Sequence, residues 1–158
     1  MAQKKSKVVK KRNTLAPGLL VSDRVELKDV RLLKSECNIN IKALSGKKTY
    51  SIRHSADFNI DRECGVIIVV PHFEFEAFAE GEPENQVLTI NASFLLYYSV
   101  KDFEGLTKKG FEQFANLNGI YNAWPYWREF VQNTIARMGL PPLAIPVFRI
   151  VEQTKKKF

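Results

Sequence analysis

The stretch WPYWREFVQNTIARMGLPPLAIP, residues 124–146, decides how the carboxyl-terminal half of this chain folds. It places Trp124, Tyr126, Trp127 and Phe130 within seven residues. Apolar residues at intervals of three and four share one face of a helix. The residues with this spacing are Trp124, Trp127, Val131, Ile135 and Met138. Tyr126 and Phe130 fall on a different face, so we expect that face to contact another surface.

The limits of this helix follow from prolines and glycines. Pro125 predicts the first helical turn, where the missing N–H of proline would be unpaired in any case. Gly139 is the expected terminator, and Pro141-Pro142 prevents the helix from resuming. An earlier and shorter helix is predicted over residues 106–117, ending at Asn118-Gly119. Two helices are therefore expected after residue 105.

The amino-terminal half has the period of β-strands. Residues 25–41, 49–60, 64–80 and 86–100 are rich in β-branched and aromatic residues and are separated by turn signals. Pro71 in the third run indicates a bend, a bulge or an edge position. Four strands in succession joined by turns predict an antiparallel meander. The fold class is therefore α+β, with a four-stranded antiparallel sheet and two carboxyl-terminal helices.

The positive charge of the chain lies at its two ends. The net charge is +7, from 24 basic and 17 acidic residues, but residues 1–12 hold six of the basic residues and residues 155–157 three more. Without those nine, 15 basic residues face 17 acidic ones, a net charge of −2. We expect a flexible basic tail over 1–22, one domain over 23–150 and a short basic tail over 151–158. Nucleic-acid binding through the tails is the alternative function, which the lack of interleaved basic and aromatic residues disfavours.

Cysteine content and hydropathy indicate the compartment. Cys37 and Cys64 fit buried free thiols in a reducing cytosol better than a disulfide framework. No apolar run approaches the roughly 20 residues that cross a bilayer, and no apolar stretch typical of a secretory signal follows the basic amino terminus. A cytoplasmic protein without membrane insertion is expected.

Motifs for catalysis are sparse. The two histidines, His54 and His72, belong to no recognisable order of nucleophile, base and acid. His72, Glu74 and Glu76 alternate along one strand and could bind a metal, but such alternation is also typical of the solvent face of an antiparallel strand. The glycines form no phosphate-binding loop. The sequence therefore favours neither an enzyme, a cofactor nor a metal site.

Three short motifs resemble one family. Pro125-Tyr126-Trp127-Arg128-Glu129, followed by Gly139-Leu140-Pro141-Pro142-Leu143, is similar to the second helix and following loop of the SecB family of export chaperones. Lys28-Asp29-Val30 resembles the Lys-Asp-Ile of the first strand of that family. With the order of four strands and two helices, the resemblance covers about residues 25–150.

The resemblance implies a function and an assembly. The family holds unfolded polypeptides in long apolar grooves without ATP, as a dimer of dimers. The residues that we expect to bind clients are Trp124, Tyr126, Phe130, Leu140 and Leu143. Arg128 and Glu129 are expected to be a structural pair, with a contact to client backbone as the alternative. Apolar residues on both faces of strands 66–70 and 94–98 predict a homotetramer or at least a dimer.

The acidic residues with which the family contacts the translocase motor SecA are mostly missing. Asp29 matches that pattern, but Leu33 stands four residues later and residues 89–92 contain no acid. The carboxyl terminus carries lysines at 155–157 instead of acids. Since complementary charge orders such encounters, we predict weak or no SecA binding. The chain also resembles the solitary SecB-like proteins that accompany toxin–antitoxin pairs and have fewer acids, and this resemblance implies a dedicated client such as an antitoxin, with general export as the alternative.

Overall fold

The computed structural model describes residues 16–149, so residues 1–15 and 150–158 of the two tails lie outside it. The elements are α1 (Pro17–Ser22), β1 (Val25–Ile39), a 3₁₀ turn (Ile41–Ala43), β2 (Lys48–Asp61), β3 (Val66–Ala79), β4 (Glu82–Val100), α2 (Lys108–Phe114), a π-helical turn (Ala115–Gly119) and α3 (Ile120–Arg137). Within residues 16–149, no helix is both long and apolar enough to span a membrane.

The strands form one antiparallel sheet in the order β1-β4-β3-β2. The prediction of a four-stranded antiparallel sheet followed by helical structure is confirmed, but the meander order is wrong for the first strand. β1 pairs with β4, from Val25 opposite Val100 to Ile39 opposite Leu88. Residues 40–47, which contain the 3₁₀ turn, connect β1 to β2 across the sheet instead of forming a tight hairpin.

The two faces of the sheet differ in character. Residues that lie opposite each other in an antiparallel pair point to the same face. The inner face carries the core residues Ile67, Val69, Phe73, Phe75 and Ala77 of β3 and Leu88, Ile90, Phe94, Leu96 and Tyr98 of β4. Helices α2 and α3 cover this face. The outer face of the same strands carries alternating polar residues such as Glu74 and Asn91.

The two predicted helices form one uninterrupted helical run over residues 108–137. The predicted break at Asn118-Gly119 is therefore wrong, and so is Pro125 as a first-turn residue, because it lies inside α3. Gly119 does not reverse the chain but allows the helix backbone to lie close to the sheet, since a Cβ atom there would lie 2.7 Å from Cγ1 of Val69. The π-helical turn thus brings the backbone directly onto the sheet.

The carboxyl-terminal end of α3 agrees with the prediction. Gly139 has φ of +72°, a conformation that side chains with a Cβ disfavour. Its N–H donates to the carbonyl of Ala136 at 3.1 Å, and the N–H of Leu140 donates to the carbonyl of Ile135 at 3.2 Å. These two bonds satisfy carbonyls that the end of a helix would leave unpaired. The chain leaves the helix sharply and turns back.

Residues 17–22, which we expected within a flexible tail, form α1 and pack on α2. Val21 is completely buried, and the N–H of Gly18 donates to Oε1 of Gln113 at 3.1 Å. The apolar residues after Pro17 provide the surface for this contact. The folded unit thus includes residues ahead of position 23, the predicted start of the domain.

The two cysteines are both free, as expected, but neither is buried. Cys37 lies on the edge strand β1, and Cys64 lies in the turn between β2 and β3. The prediction of buried thiols is therefore wrong, because both residues fall on exposed backbone at the margin of the sheet.

Candidate functional site: the α3 face and the strap that crosses it

The inward stripe of α3 packs into the core, as its spacing predicts. The ring of Trp127 is completely buried and stacks on Phe73, with 5.2 Å between ring centroids and 11° between ring planes. Val131 and Ile135 continue the same stripe towards the end of the helix. The Trp127 Nε1 atom has no hydrogen-bond partner within residues 16–149, so apolar packing holds this ring.

An extended segment that we call the strap, residues 140–149, runs back along α3. The carbonyl of Ile145 accepts a hydrogen bond from Arg128 Nε at 2.7 Å. The next carbonyl, that of Pro146, accepts one from Trp124 Nε1 at 2.9 Å. The Ile145 side chain is completely buried. The strap is thus fixed at its centre by two side-chain donors and one aliphatic anchor.

The distal part of the strap joins an aromatic cluster. The ring centroid of Phe148 lies 5.2 Å from that of Trp124, 5.6 Å from that of His54 and 6.5 Å from that of Tyr121. His54 belongs to β2, so the strap connects α3 to the edge of the sheet. Burial beneath these rings lowers the pKa of His54, because it disfavours the charged imidazolium.

A cavity of about 250 Å³, here called the Tyr50 pocket, lies where the strap begins. Its lining residues are Gly46, Lys48, Thr49, Tyr50, Phe75, Ala77, Leu88, Ile135, Leu140, Pro141, Pro142 and Leu143. Tyr50 stacks on Phe75 with 5.3 Å between centroids and remains 41% exposed. The Lys48 ammonium donates to the carbonyls of Leu44 and Gly46, so its charge is held by the turn before β2.

A second cavity of about 250 Å³, the Tyr121 pocket, lies at the far end of the strap. It is lined by Tyr121, Asn122, Trp124, Pro125, Arg128, Val147 and Phe148. The strap therefore has a cavity at each end, with Leu143 in the wall of one and Val147 in the wall of the other.

The five residues predicted to bind clients are not brought together. Leu140 and Leu143 line the Tyr50 pocket. Trp124 is 8% exposed beneath the strap, whereas Tyr126 is 48% exposed on the solvent side of α3. Phe130 is half-buried, with its ring 6.4 Å from that of Trp127.

Sequence reasoning missed the other aromatic wall of the Tyr50 pocket. Tyr50 and Phe75 come from β2 and β3, and the register places Ile52 opposite Phe75 and Tyr50 opposite Ala77 on the inner face. The inward position of Tyr50 was readable from the alternation of its strand, but the pocket depends on the return path of the strap. The spacing of residues along one helix or strand does not predict the path of the strap.

Arg128 and Glu129 do not pair with each other within the described part of the chain. Arg128 donates to the strap, and Glu129 accepts from the side-chain amide of Asn133 one turn later. The expected pair is therefore not formed, and Arg128 instead bonds a backbone carbonyl of the strap. Asp29, the residue expected at the docking surface, forms an ion pair with Arg31 on the same strand.

His72, Glu74 and Glu76, which we considered as metal ligands, divide into separate networks. Arg53 binds the two glutamates, at 2.9 Å from Glu74 and 3.4 Å from Glu76. His72 instead bonds to neighbours on the adjacent strands. Over residues 16–149, no group of three potential ligands lies close enough to hold a metal ion.

His72 lies between a serine and an aspartate, an arrangement that sequence reasoning missed because three strands supply it. Its Nδ1 atom is 2.7 Å from Ser93 Oγ, and its Nε2 atom is 2.9 Å from Asp57 Oδ2. The Asp57 side chain is 84% exposed, and Ser93 lies in a strand with neighbours on both sides. His72 and Ser93 also line a cavity of about 170 Å³, together with Lys34 and Asn91.

The overall fold is similar to that of a solved structure. This is a SecB-like chaperone from Mycobacterium tuberculosis in complex with a ChAD peptide from the HigA1 antitoxin, with a TM-score of 0.74 and 19% identity, covering 86% of this chain and 99% of that chain. The chain has a SecB-like fold. A protein of unknown function from Streptococcus agalactiae aligns with a TM-score of only 0.39 at 10% identity, over 77% of this chain and 96% of that chain. No protein-family model and no curated protein matches the sequence.

The edge strand β1 leaves several apolar side chains exposed. Leu27 and Leu32 of β1 lie opposite Tyr98 and Phe94, hence on the inner face, yet they are 37% and 49% exposed. Leu33, at an irregularity in the strand pairing, is 56% exposed. Neighbouring exposed apolar residues on an edge strand are typical of a surface that meets another chain.

Proposed function

We propose that this protein is an ATP-independent chaperone that holds unfolded or partly folded polypeptides on apolar surface. The observation that carries the proposal is the Tyr50 pocket, where Tyr50, Phe75 and Leu143 form apolar walls around a cavity of about 250 Å³. Burying one large apolar side chain yields roughly 1.5–3 kcal/mol without reading sequence, so several such contacts suffice to hold an unfolded segment. No step in this activity requires a cofactor or a chemical reaction.

We further propose a dedicated client such as an antitoxin. The protein with the same fold was solved with an antitoxin peptide bound, which supports a peptide client here. Asp29 is engaged by Arg31, and Leu33 occupies the position where a further acid would assist SecA docking. We therefore expect titration with the carboxyl-terminal SecA peptide to give weak or no binding, and binding at micromolar or lower concentration would restore a general export role.

We propose a cytosolic homotetramer, built as a dimer of dimers. The exposed apolar side chains of β1 support association between copies, and the two free cysteines suit a reducing compartment. Light scattering of the purified protein at micromolar concentration should give the mass of a tetramer or dimer. A monomer under those conditions would contradict this assembly.

The function is tested by suppression of aggregation. We expect the protein to keep a denatured client soluble without ATP and with little dependence on salt. Tyr50→Ser should weaken client binding about tenfold, equivalent to about 1.4 kcal/mol. Tyr126→Ser is the matched control, because Tyr126 is similarly exposed but lies outside the Tyr50 pocket.

Other outcomes would indicate a different binding surface or a different function. An equal loss in Tyr126→Ser would place clients on the solvent face of α3, as the sequence first suggested. Binding to DNA or RNA that falls steeply with salt would favour the nucleic-acid alternative, because phosphate contacts release counterions. Deletion of residues 1–12 should abolish such binding but leave client holding largely intact, and loss of client holding in that variant would show that the amino-terminal tail takes part in it.

A further inference from the structure

The strap lies on the subunit in the way that an extended polypeptide ligand would. Residues 143–148 belong to no helix or strand. They contact the protein through one buried aliphatic side chain, Ile145, one aromatic side chain, Phe148, and two successive backbone carbonyls. Such a combination of side-chain anchors and carbonyl bonds is how proteins commonly hold extended peptides.

The two donors recognise backbone and not side-chain identity. Arg128 Nε and Trp124 Nε1 each bond a carbonyl that any residue possesses. Pro146 has no N–H, so this part of the strap needs no acceptor from the protein. The site therefore suits an extended segment with an aliphatic residue, a proline directly after it and an aromatic residue two positions further on, as Ile145, Pro146 and Phe148 provide.

The strap occupies the path between the two cavities. Leu143 lines the Tyr50 pocket, and Val147 lines the Tyr121 pocket. A polypeptide that fills both cavities must follow the surface on which residues 144–146 now lie. Ile145 is completely buried and Leu143 and Phe148 are partly buried, so release of residues 143–148 exposes apolar surface from these three side chains, which is less than unfolding of the core exposes.

We infer that the strap is an internal occupant of the client site. An extended apolar client segment displaces residues 143–148 and takes over the bonds to Arg128 and Trp124. The inference rests on the proposed chaperone function and adds its regulation: the empty protein covers part of its own binding surface, and client affinity is reduced by the free energy of strap release.

The test uses the full-length protein and a fluorescein-labelled peptide of residues 140–149, LPPLAIPVFR. The variant Ile145→Ala with Phe148→Ala weakens the internal strap, and Arg149→Ala, an exposed strap residue, is its control. The weakened variant should bind the peptide at least tenfold more tightly than wild type or the control. A peptide with both anchors replaced by alanine should not bind.

The client probe is reduced, carboxymethylated α-lactalbumin, which stays unfolded in buffer. It should displace the labelled peptide competitively and bind the weakened variant about fivefold more tightly than wild type. Simultaneous binding of peptide and client, or equal or weaker client binding by the variant, would overturn the inference. Phe148→Ala alone, which removes a side chain that is only partly buried, repeats the test if the double variant melts early in circular dichroism.

Suppression of aggregation by wild type is measured in parallel. If wild type keeps clients soluble but peptide and client do not compete, the strap inference is wrong and the chaperone function stands. If wild type suppresses no aggregation, the chaperone function itself is wrong.

Discussion

Helix α3 contains two tryptophans, three residues apart, that contact different parts of the molecule. Trp127 faces the sheet, is completely buried and stacks on Phe73. Trp124 faces the strap and donates its indole N–H to the carbonyl of Pro146. The Trp127 contact is apolar and lies within the core, whereas Trp124 adds a hydrogen bond to the strap, the segment that we infer a client displaces. One helix thus supplies both a surface that packs on the sheet and a surface that holds the strap.

The largest expected effect is the loss of stability when the tryptophan that faces the sheet is replaced. Trp127→Ala should lower the free energy of unfolding by about 3–5 kcal/mol, the range for aromatic residues lost from a packed core. Tyr126→Ala, at an exposed neighbouring position, should change it by about 0.5 kcal/mol or less. Urea denaturation of both variants measures the difference. Similar losses in the two would mean that the stacked ring is not a core contact.

Removal of a hydrogen bond between α3 and the strap should loosen the strap and leave the core folded. Arg128→Met removes the donor to the Ile145 carbonyl, a bond from a charged group that is worth about 1.5–3 kcal/mol. Chymotrypsin cleavage after Phe148 should accelerate about tenfold or more, because the strap opens more often. Arg137→Met, on an exposed residue of the last turn, should leave cleavage unchanged. A loss of urea stability as large as that of Trp127→Ala would contradict separate behaviour of the two sides.

Substituting phenylalanine for each tryptophan in turn sharpens the comparison. Trp124→Phe removes the N–H that bonds Pro146, a net contribution of about 0.5–1.5 kcal/mol, and should raise chymotrypsin cleavage several-fold. Trp127→Phe removes an N–H that has no partner in the described chain. Because the smaller ring leaves a cavity in the core, this substitution should lower the free energy of unfolding in urea and leave chymotrypsin cleavage of the strap unchanged. If both substitutions accelerate cleavage equally, the two tryptophans act as one unit.

The smallest effect concerns pH. Burial lowers the pKa of His54 below its ordinary value of 6.5, so the unfolded chain binds more protons than the folded one as the pH falls through that value. The folded state should therefore lose stability between pH 7.5 and 5.5. His54→Asn should reduce this loss, as measured by the difference in Tm between the two pH values. An unchanged difference in Tm would show that the ring titrates freely beneath Phe148.

Local signals in the sequence predicted local structure well. The inward stripe through Trp127, the stop at Gly139 and the alternation along β3 each depend on neighbours a few residues apart, and all three are present. The uninterrupted helical run was missed because close contact of Gly119 with Val69, a residue far away in sequence, replaces the expected turn.

The candidate site was predictable only in part for the same reason. Leu140 and Leu143 were identified from the loop that follows α3, and they do line a pocket. Tyr50 and Phe75 reach that pocket from other strands, and the burial of Trp124 depends on the strap that lies over it. A helical period shows which residues share a face, but not which segment returns to cover that face.

The order of strands in the sheet has a consequence for synthesis on the ribosome. β1 is the first strand to emerge, yet among the described residues its neighbour is β4, the last strand to be made. The hairpin of β2 and β3 can form while β1 still lacks its partner strand. During that time Leu27 and Leu32 of β1 are exposed to solvent on the nascent chain. Halting translation before β4 should therefore yield a species that chaperones bind.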